Sequence, residues 1–168
     1  MAATARFGVA SRFWQVHLSH VRFLHAIYVA LVLLAAGAAS AQDHDTPAGL
    51  WRAFDDHTGK PSALIRLVEA DGTVSGRIEK FLDPNDKPED VCDKCTDDRK
   101  GQRILGMQIL RNLHRVGDHY EGGDILDPGN GKIYRCNVHV ADGGARLEVR
   151  GFIGFSLLGR TQTWERVE

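Results

Sequence analysis

The sequence predicts an all-β domain closed as an eight-stranded antiparallel up-and-down barrel. Three observations carry this expectation. Turn signals recur at short, fairly even spacing, among them Asp71-Gly72, Asp83-Pro84-Asn85, Gly117-Asp118, Asp127-Pro128-Gly129 and Asp142-Gly143-Gly144. The segments between them alternate with period two, as when Val74, Gly76 and Ile78 alternate with Ser75, Arg77 and Glu79. No stretch carries a convincing helical stripe with caps. Short antiparallel strands joined by tight turns avoid exposed edges by closing on themselves.

Taken in order, the strands are expected to begin near Gly49, Ala63, Thr73, Ile104, Tyr120, Lys132, Ala145 and Arg160. In the second, Leu64-Ile65-Arg66-Leu67-Val68 is mostly apolar, which suggests cover on both faces. Asp71-Gly72 between the second and third is a strong hairpin signal. The fourth has a helical alternative, because Leu105, Ile109, Leu113 and Val116 fall at helical spacing. Gly106 and the neighbouring segments favour a strand. Gly49-Leu50-Trp51 opens the first strand and Arg166 sits in the last. In lipocalin-type barrels a Gly-x-Trp plugs the closed end and a basic residue of the last strand packs on the indole. Arg160 competes with Arg166 for that role.

Residues 1–41 read as a cleavable secretion signal. Arg6, Arg12 and Arg22 precede the apolar run Phe23 to Ala36, and Ala39-Ser40-Ala41 fits the small-x-small rule for cleavage before Gln42. The run is short for a spanning helix, so no stable membrane anchor is expected after cleavage. Residues 42–168 then form the single mature domain, placed in the periplasm or secreted. All 22 acidic residues lie after Ala41, against 18 of the 21 Lys and Arg, a formal charge of −4. That balance argues against nonspecific nucleic-acid binding and against a polybasic membrane anchor.

Three cysteines remain in this domain: Cys92, Cys95 and Cys136. In an oxidising compartment a structural disulfide is the leading reading, either Cys92 with Cys95 or one of these with Cys136. Redox catalysis is opposed by the acidic flanks Glu89-Asp90 and Asp97-Asp98, which raise a thiol pKa. A zinc site lacks a second ligand pair. No metal or cofactor is expected. His57, His114, His119 and His139 are scattered, and no nucleophile elbow or His-Glu-x-x-His occurs, so no catalytic residue is assigned. The run Gly151 to Gly159 lacks the Lys and Ser/Thr of a phosphate loop. Its Phe152, Ile153, Phe155, Leu157 and Leu158 make an apolar corner that either seals the barrel or stays exposed for a partner or lipid.

Several motifs together resemble the bacterial domain-of-unknown-function family 2147. They are Gly49-Leu-Trp51, Cys92-Asp-Lys-Cys95, Gly106-Met107, Gly122-Gly-Asp-Ile-Leu-Asp-Pro128, Gly131-Lys-Ile-Tyr-Arg-Cys136, Leu147-Glu-Val-Arg-Gly151 and Gly159-Arg-Thr-Gln-Thr-Trp164. The resemblance implies a lipocalin- or calycin-like barrel in the periplasm or outside the cell, and it carries over no catalytic residue.

Three functions are open at this point. One is a carrier or sensor of a small apolar or amphipathic molecule, since an eight-stranded barrel is just wide enough for one small ligand. Its lining candidates are Trp51, Leu64, Arg66, Ile78, Met107, Tyr134 and Trp164. The second is an envelope interaction module with a packed barrel, using the Gly151 to Gly159 face. The third is a thiol oxidoreductase using Cys92 and Cys95. Oligomeric state is left open.

Overall fold

The computed structural model describes residues 45–168, so the expected leader lies outside the described residues. Eight strands run β1 (Gly49–Phe54), β2 (Pro61–Ala70), β3 (Thr73–Phe81), β4 (Gln108–Val116), β5 (His119–Asp127), β6 (Lys132–Ala141), β7 (Arg146–Phe152) and β8 (Arg160–Arg166). Each pairs antiparallel with its sequence neighbours, and β8 returns to β1 to close the ring. All eight strands and the described core lie inside one compact unit, Asp43–Glu168. The barrel therefore draws every backbone partner in its ladder from this unit.

Local chemistry sets the register. Asp71 and Gly72 both adopt positive φ (51° and 70°), the requirement of a two-residue hairpin turn, and they bring Ala70 opposite Thr73. The fourth strand starts four residues later than expected. Gly106 takes φ +87° in a turn, and the Ile78 N–H donates to the Met107 carbonyl before the strand begins. The helical spacing of this segment has a physical cause. Asn112 sits at φ 59° and the register slips, so Val74 faces Leu113 while Gly76 faces Leu110. A bulge of this kind puts buried residues three apart instead of two.

The second strand corrects an expectation. Ala63, Ile65 and Leu67 are buried, but Leu64 and Arg66 are only half-buried and Val68 is exposed. Its outer face is thus open, and Arg66 spans it by ion pairs to Glu79 (2.8 Å) and Glu168 (3.1 Å).

The up-and-down order sends connections alternately to two ends. The β2–β3, β4–β5 and β6–β7 turns share one end with residues 45–48 and the C-terminus. The β1–β2, β3–β4, β5–β6 and β7–β8 connections share the other. The first end is solid. Trp51, Leu67, Val74, Leu110, Leu113 and Leu147 are fully buried there. A Cβ on Gly76 would come within 3.2 Å of Leu110 and Leu67, tighter than ordinary packing.

Candidate functional site: the barrel lumen and its mouth

The floor of the barrel is built on Trp51. Its indole N–H donates to the Pro47 carbonyl (2.8 Å), which draws the segment before β1 across the closed end. Trp51 and Arg166 are direct cross-strand partners at the β1–β8 seam. The Arg166 guanidinium lies 4.2 Å from the centre of the indole and donates to the carbonyls of Ala48 (2.8 Å), Thr46 (2.7 Å) and Gly144. Gly49 has φ +145°, and a Cβ there would stand 2.6 Å from the Arg166 guanidinium and from the Glu168 carbonyl. The Gly-x-Trp motif is therefore steric: the glycine vacates the space that the arginine fills.

Above this floor the lumen opens. A cavity of ≈ 620 Å³ reaches from the middle of the barrel to the mouth. Its deep wall is apolar, with Ile65, Ile78, Ile109, Ile125, Val149 and Trp164. The cavity exists partly because Gly151 faces it without a side chain. A Cβ there would meet Tyr134 and Ile125 at 3.5–3.6 Å, ordinary contact distances.

The rim is polar and is held by one chain of hydrogen bonds. The Trp164 indole donates to Gln162 (2.9 Å), the Gln162 amide donates to Asp56 (2.7 Å), and Asp56 is ion-paired with Arg160 (2.6 Å). All four line the cavity. Strand β8 supplies three of them, because Arg160, Gln162, Trp164 and Arg166 are spaced by two and share its inner face. Arg160 thus lies at the mouth, and the competition with Arg166 for Trp51 is settled by the same alternation. Asn130 adds a donor at the rim, bonded to the Tyr134 hydroxyl (3.2 Å).

Of the seven lining candidates, Ile78, Tyr134 and Trp164 line the cavity. Trp51 lies beneath it as the plug. Met107 is buried in the core but is not part of the cavity wall. Leu64 and Arg66 are corrections. They lie opposite Arg52 and Leu50, on the outer face, because β2 turns Ala63, Ile65 and Leu67 inward. Sequence reasoning missed Asp56 and Gln162. The period-two run on β8 signalled Gln162. Nothing local signalled Asp56, which reads as one half of a solvated turn pair.

Cys92 and Cys95 form a disulfide, with Cα atoms 5.4 Å apart. Both are buried. The loop that carries them packs on the β5–β6 turn. Lys94 donates to the Gly129 carbonyl (2.7 Å), and Gly131 leaves no room for a Cβ beside the Lys94 carbonyl. Cys136, grouped with them as a disulfide candidate, is a free thiol inside the barrel wall, facing Gly123 and Gly151 across the sheet. Burial, with a smaller push from Asp124, raises this thiol to about 12. His119 lies between Asp118 (3.0 Å) and Glu121 (3.4 Å) on the outside, and the Asp118 hydrogen bond raises it above the usual histidine range. Among the described residues, no three His, Cys, Asp or Glu side chains converge as a metal ion would require.

The comparisons agree with this geometry. Protein HP1028 from the human pathogen Helicobacter pylori, described as belonging to the lipocalin family, superposes with a TM-score of 0.64. It is 21% identical, over 73% of this chain and 84% of that one. At that identity the likeness shows the fold alone. None of the curated proteins compared with this chain matches it. Residues 49–166, from the first strand to the last, match the family described as an uncharacterized protein conserved in bacteria, DUF2147. Those residues hold the Gly49–Trp51–Arg166 plug, the disulfide loop and the whole lumen, and the chain belongs to the DUF2147 family of lipocalin-like barrels.

Proposed function

We propose that the domain binds one small amphipathic molecule in its lumen and acts as a carrier or sensor. The carrying observation is the cavity itself: ≈ 620 Å³, apolar in its depth and polar at its rim. Small-molecule sites typically span ~300–1,000 Å³, with a mostly apolar wall and a few placed polar groups. A packed structural barrel would fill that space with side chains, as this one does around Trp51. A ligand would lie with its apolar part against Ile65, Ile78 and Val149 and its polar end beside Gln162, Asp56 and Arg160.

No reaction is part of this reading. Work outside the cytoplasm is supported by the apolar, small-residue pattern of the leader and by the Cys92–Cys95 disulfide, since such bonds persist in oxidising compartments.

The test is a titration of residues 43–168 with a dansyl-labelled fatty acid, exciting the two tryptophans, Trp51 and Trp164, and reading energy transfer. Saturation at one probe per chain, displaced by unlabelled fatty acids or detergents, is expected. Transfer that never saturates, or that no amphiphile displaces, would sink the proposal.

A further inference from the structure

The seam that closes the barrel is zipped at one end only. Strand β8 pairs with β7 from Arg160 to Glu165, nearly its whole length. With β1 it pairs only at Trp51↔Arg166 and Arg52↔Glu165, beside the floor. A continued register would set Ala53 opposite Trp164 and Phe54 opposite Thr163, and neither pair forms. The first strand is bent at this point. Its register against β2 shifts between Ala53 and Phe54, and both of these consecutive residues border the cavity. Successive residues of a regular strand face opposite sides, so this is a bulge. On β8 the Arg166 N–H bonds to the Ala145 carbonyl, on the β7 side. By alternation Thr161 and Thr163 aim their backbone groups at β1, across the unpaired stretch.

Above the Arg52–Glu165 ion pair, every polar contact across this seam among the described residues ends on Asp56. Its carboxylate, in the β1–β2 turn, accepts from the Gln162 amide (2.7 Å) and is ion-paired with Arg160 (2.6 Å), both on β8. The neighbouring Asp55 is turned into its own loop, where it accepts from the Thr58 N–H and hydroxyl. The fastening is weak. The Arg160 side chain is 62% exposed, and so exposed an ion pair contributes little. Behind it lies Trp164, buried, with its indole N–H on the same Gln162.

We propose that the upper β1–β8 seam is a side gate of the lumen, with Asp56 as its latch. This rests on the lumen being the binding site. When Asp56 lets go, β1 and β8 part between Ala53–Phe54 and Thr161–Thr163, while the Trp51–Arg166 contact below stays shut as the hinge. No ladder hydrogen bond has to break, because none spans this stretch, and each strand keeps its other neighbour. Parting widens the mouth down to Trp164. The apolar part of an amphiphile then enters from the side with its polar end still at the rim, and Asp56 closes on Gln162 and Arg160 behind it.

The experiment compares residues 43–168 with the variant Asp56→Ala in two ways. One is stopped-flow mixing with the dansyl-labelled fatty acid. The other is acrylamide quenching of tryptophan fluorescence with no ligand present. Asp56 lies in a turn outside every strand, so the thermal midpoint of the variant should stay close to that of the parent. Association is expected to be at least about fivefold faster in Asp56→Ala, since the gate limits entry. Quenching is expected to rise, because a loosened seam uncovers Trp164, while Trp51 in the plug gives the same background in both proteins. Asp56→Asn, which keeps an acceptor for Gln162 but loses the ion pair, should fall between. A residue that only touches the bound ligand alters dissociation and leaves association unchanged. Equal association rates, or a change confined to dissociation, would therefore overturn the proposal. So would equal quenching, a readout that stands even if the lumen binds no probe.

Discussion

Trp51 and Arg166 are cross-strand partners at the seam that closes the barrel, and the same pair stacks, guanidinium on indole, at 4.2 Å. One contact thus does two things: it zips β1 to β8 and it plugs the lumen. Arg166 also satisfies three carbonyls of the segments that cover this end. Arg166→Ala would leave those acceptors buried and the indole bare. The expected loss is about 3 kcal/mol, read as a fall of roughly 10 °C in the thermal midpoint. Arg166→Lys keeps the charge but not the planar stack or the fork, and should recover less than half of that. A variant melting with the parent would remove the plug from this account.

Gly151 makes room in the lumen, and Gly151→Leu should take it away. The backbone there is ordinary β-strand, so the substitution is not strained, and the added side chain would occupy the space between Tyr134 and Ile125. The expected result is a thermal midpoint within a few degrees of the parent and a loss of dansyl-probe binding of about tenfold or more. Retained binding would place the ligand elsewhere.

Cys92→Ser/Cys95→Ser should cost stability without touching the lumen, because neither residue lines the cavity. A loop this short is stabilised by roughly 2 kcal/mol on the chain-entropy account. Denaturant titration should show that loss, with probe binding to the folded fraction unchanged. If binding or a redox activity vanished while stability held, the loop would be functional instead of structural.

Cys136 should be inert in the folded protein. Its thiol is raised to about 12 by burial, against 9.0 when unperturbed. The thiolate fraction at pH 8 is then about 1,000-fold smaller than in the unfolded chain, and alkylation proceeds through the thiolate. Labelling by iodoacetamide should follow unfolding. The folded state holds this proton to higher pH than the unfolded state does. Its contribution to stability is therefore complete below about pH 9 and is lost progressively as pH rises from 9 towards 12. A Cys136→Ala variant should lose that part of the alkaline decline. Rapid labelling of the native protein would contradict the burial.

Much of the barrel was legible in the sequence, because its causes are local. Turn residues such as Asp71-Gly72 and the alternation on β7 and β8 act within a few positions, and they placed seven strands within two residues of their starts. The fourth strand misled because a bulge at Asn112 breaks period two, and bulges are fixed by the partner strand. The lumen was read less well. Ile78, Tyr134 and Trp164 were found, but on β2 every residue from Leu64 to Val68 except Arg66 is apolar. Its inner face was then decided by pairing with β1, not by hydrophobicity. Asp56 joins Gln162 and Arg160 from a loop more than a hundred residues earlier in the chain, a meeting that only barrel closure brings about.

The most direct test of the central claim, a lumen that holds a small amphiphile, is native mass spectrometry of the domain purified from the cells that make it. It should be run beside a denatured control and beside Gly151→Leu. A ligand held in the lumen should appear as a reproducible added mass on the parent domain that disappears on denaturation and is absent from Gly151→Leu. A bare mass for the parent, or an added mass that Gly151→Leu retains in full, would contradict it.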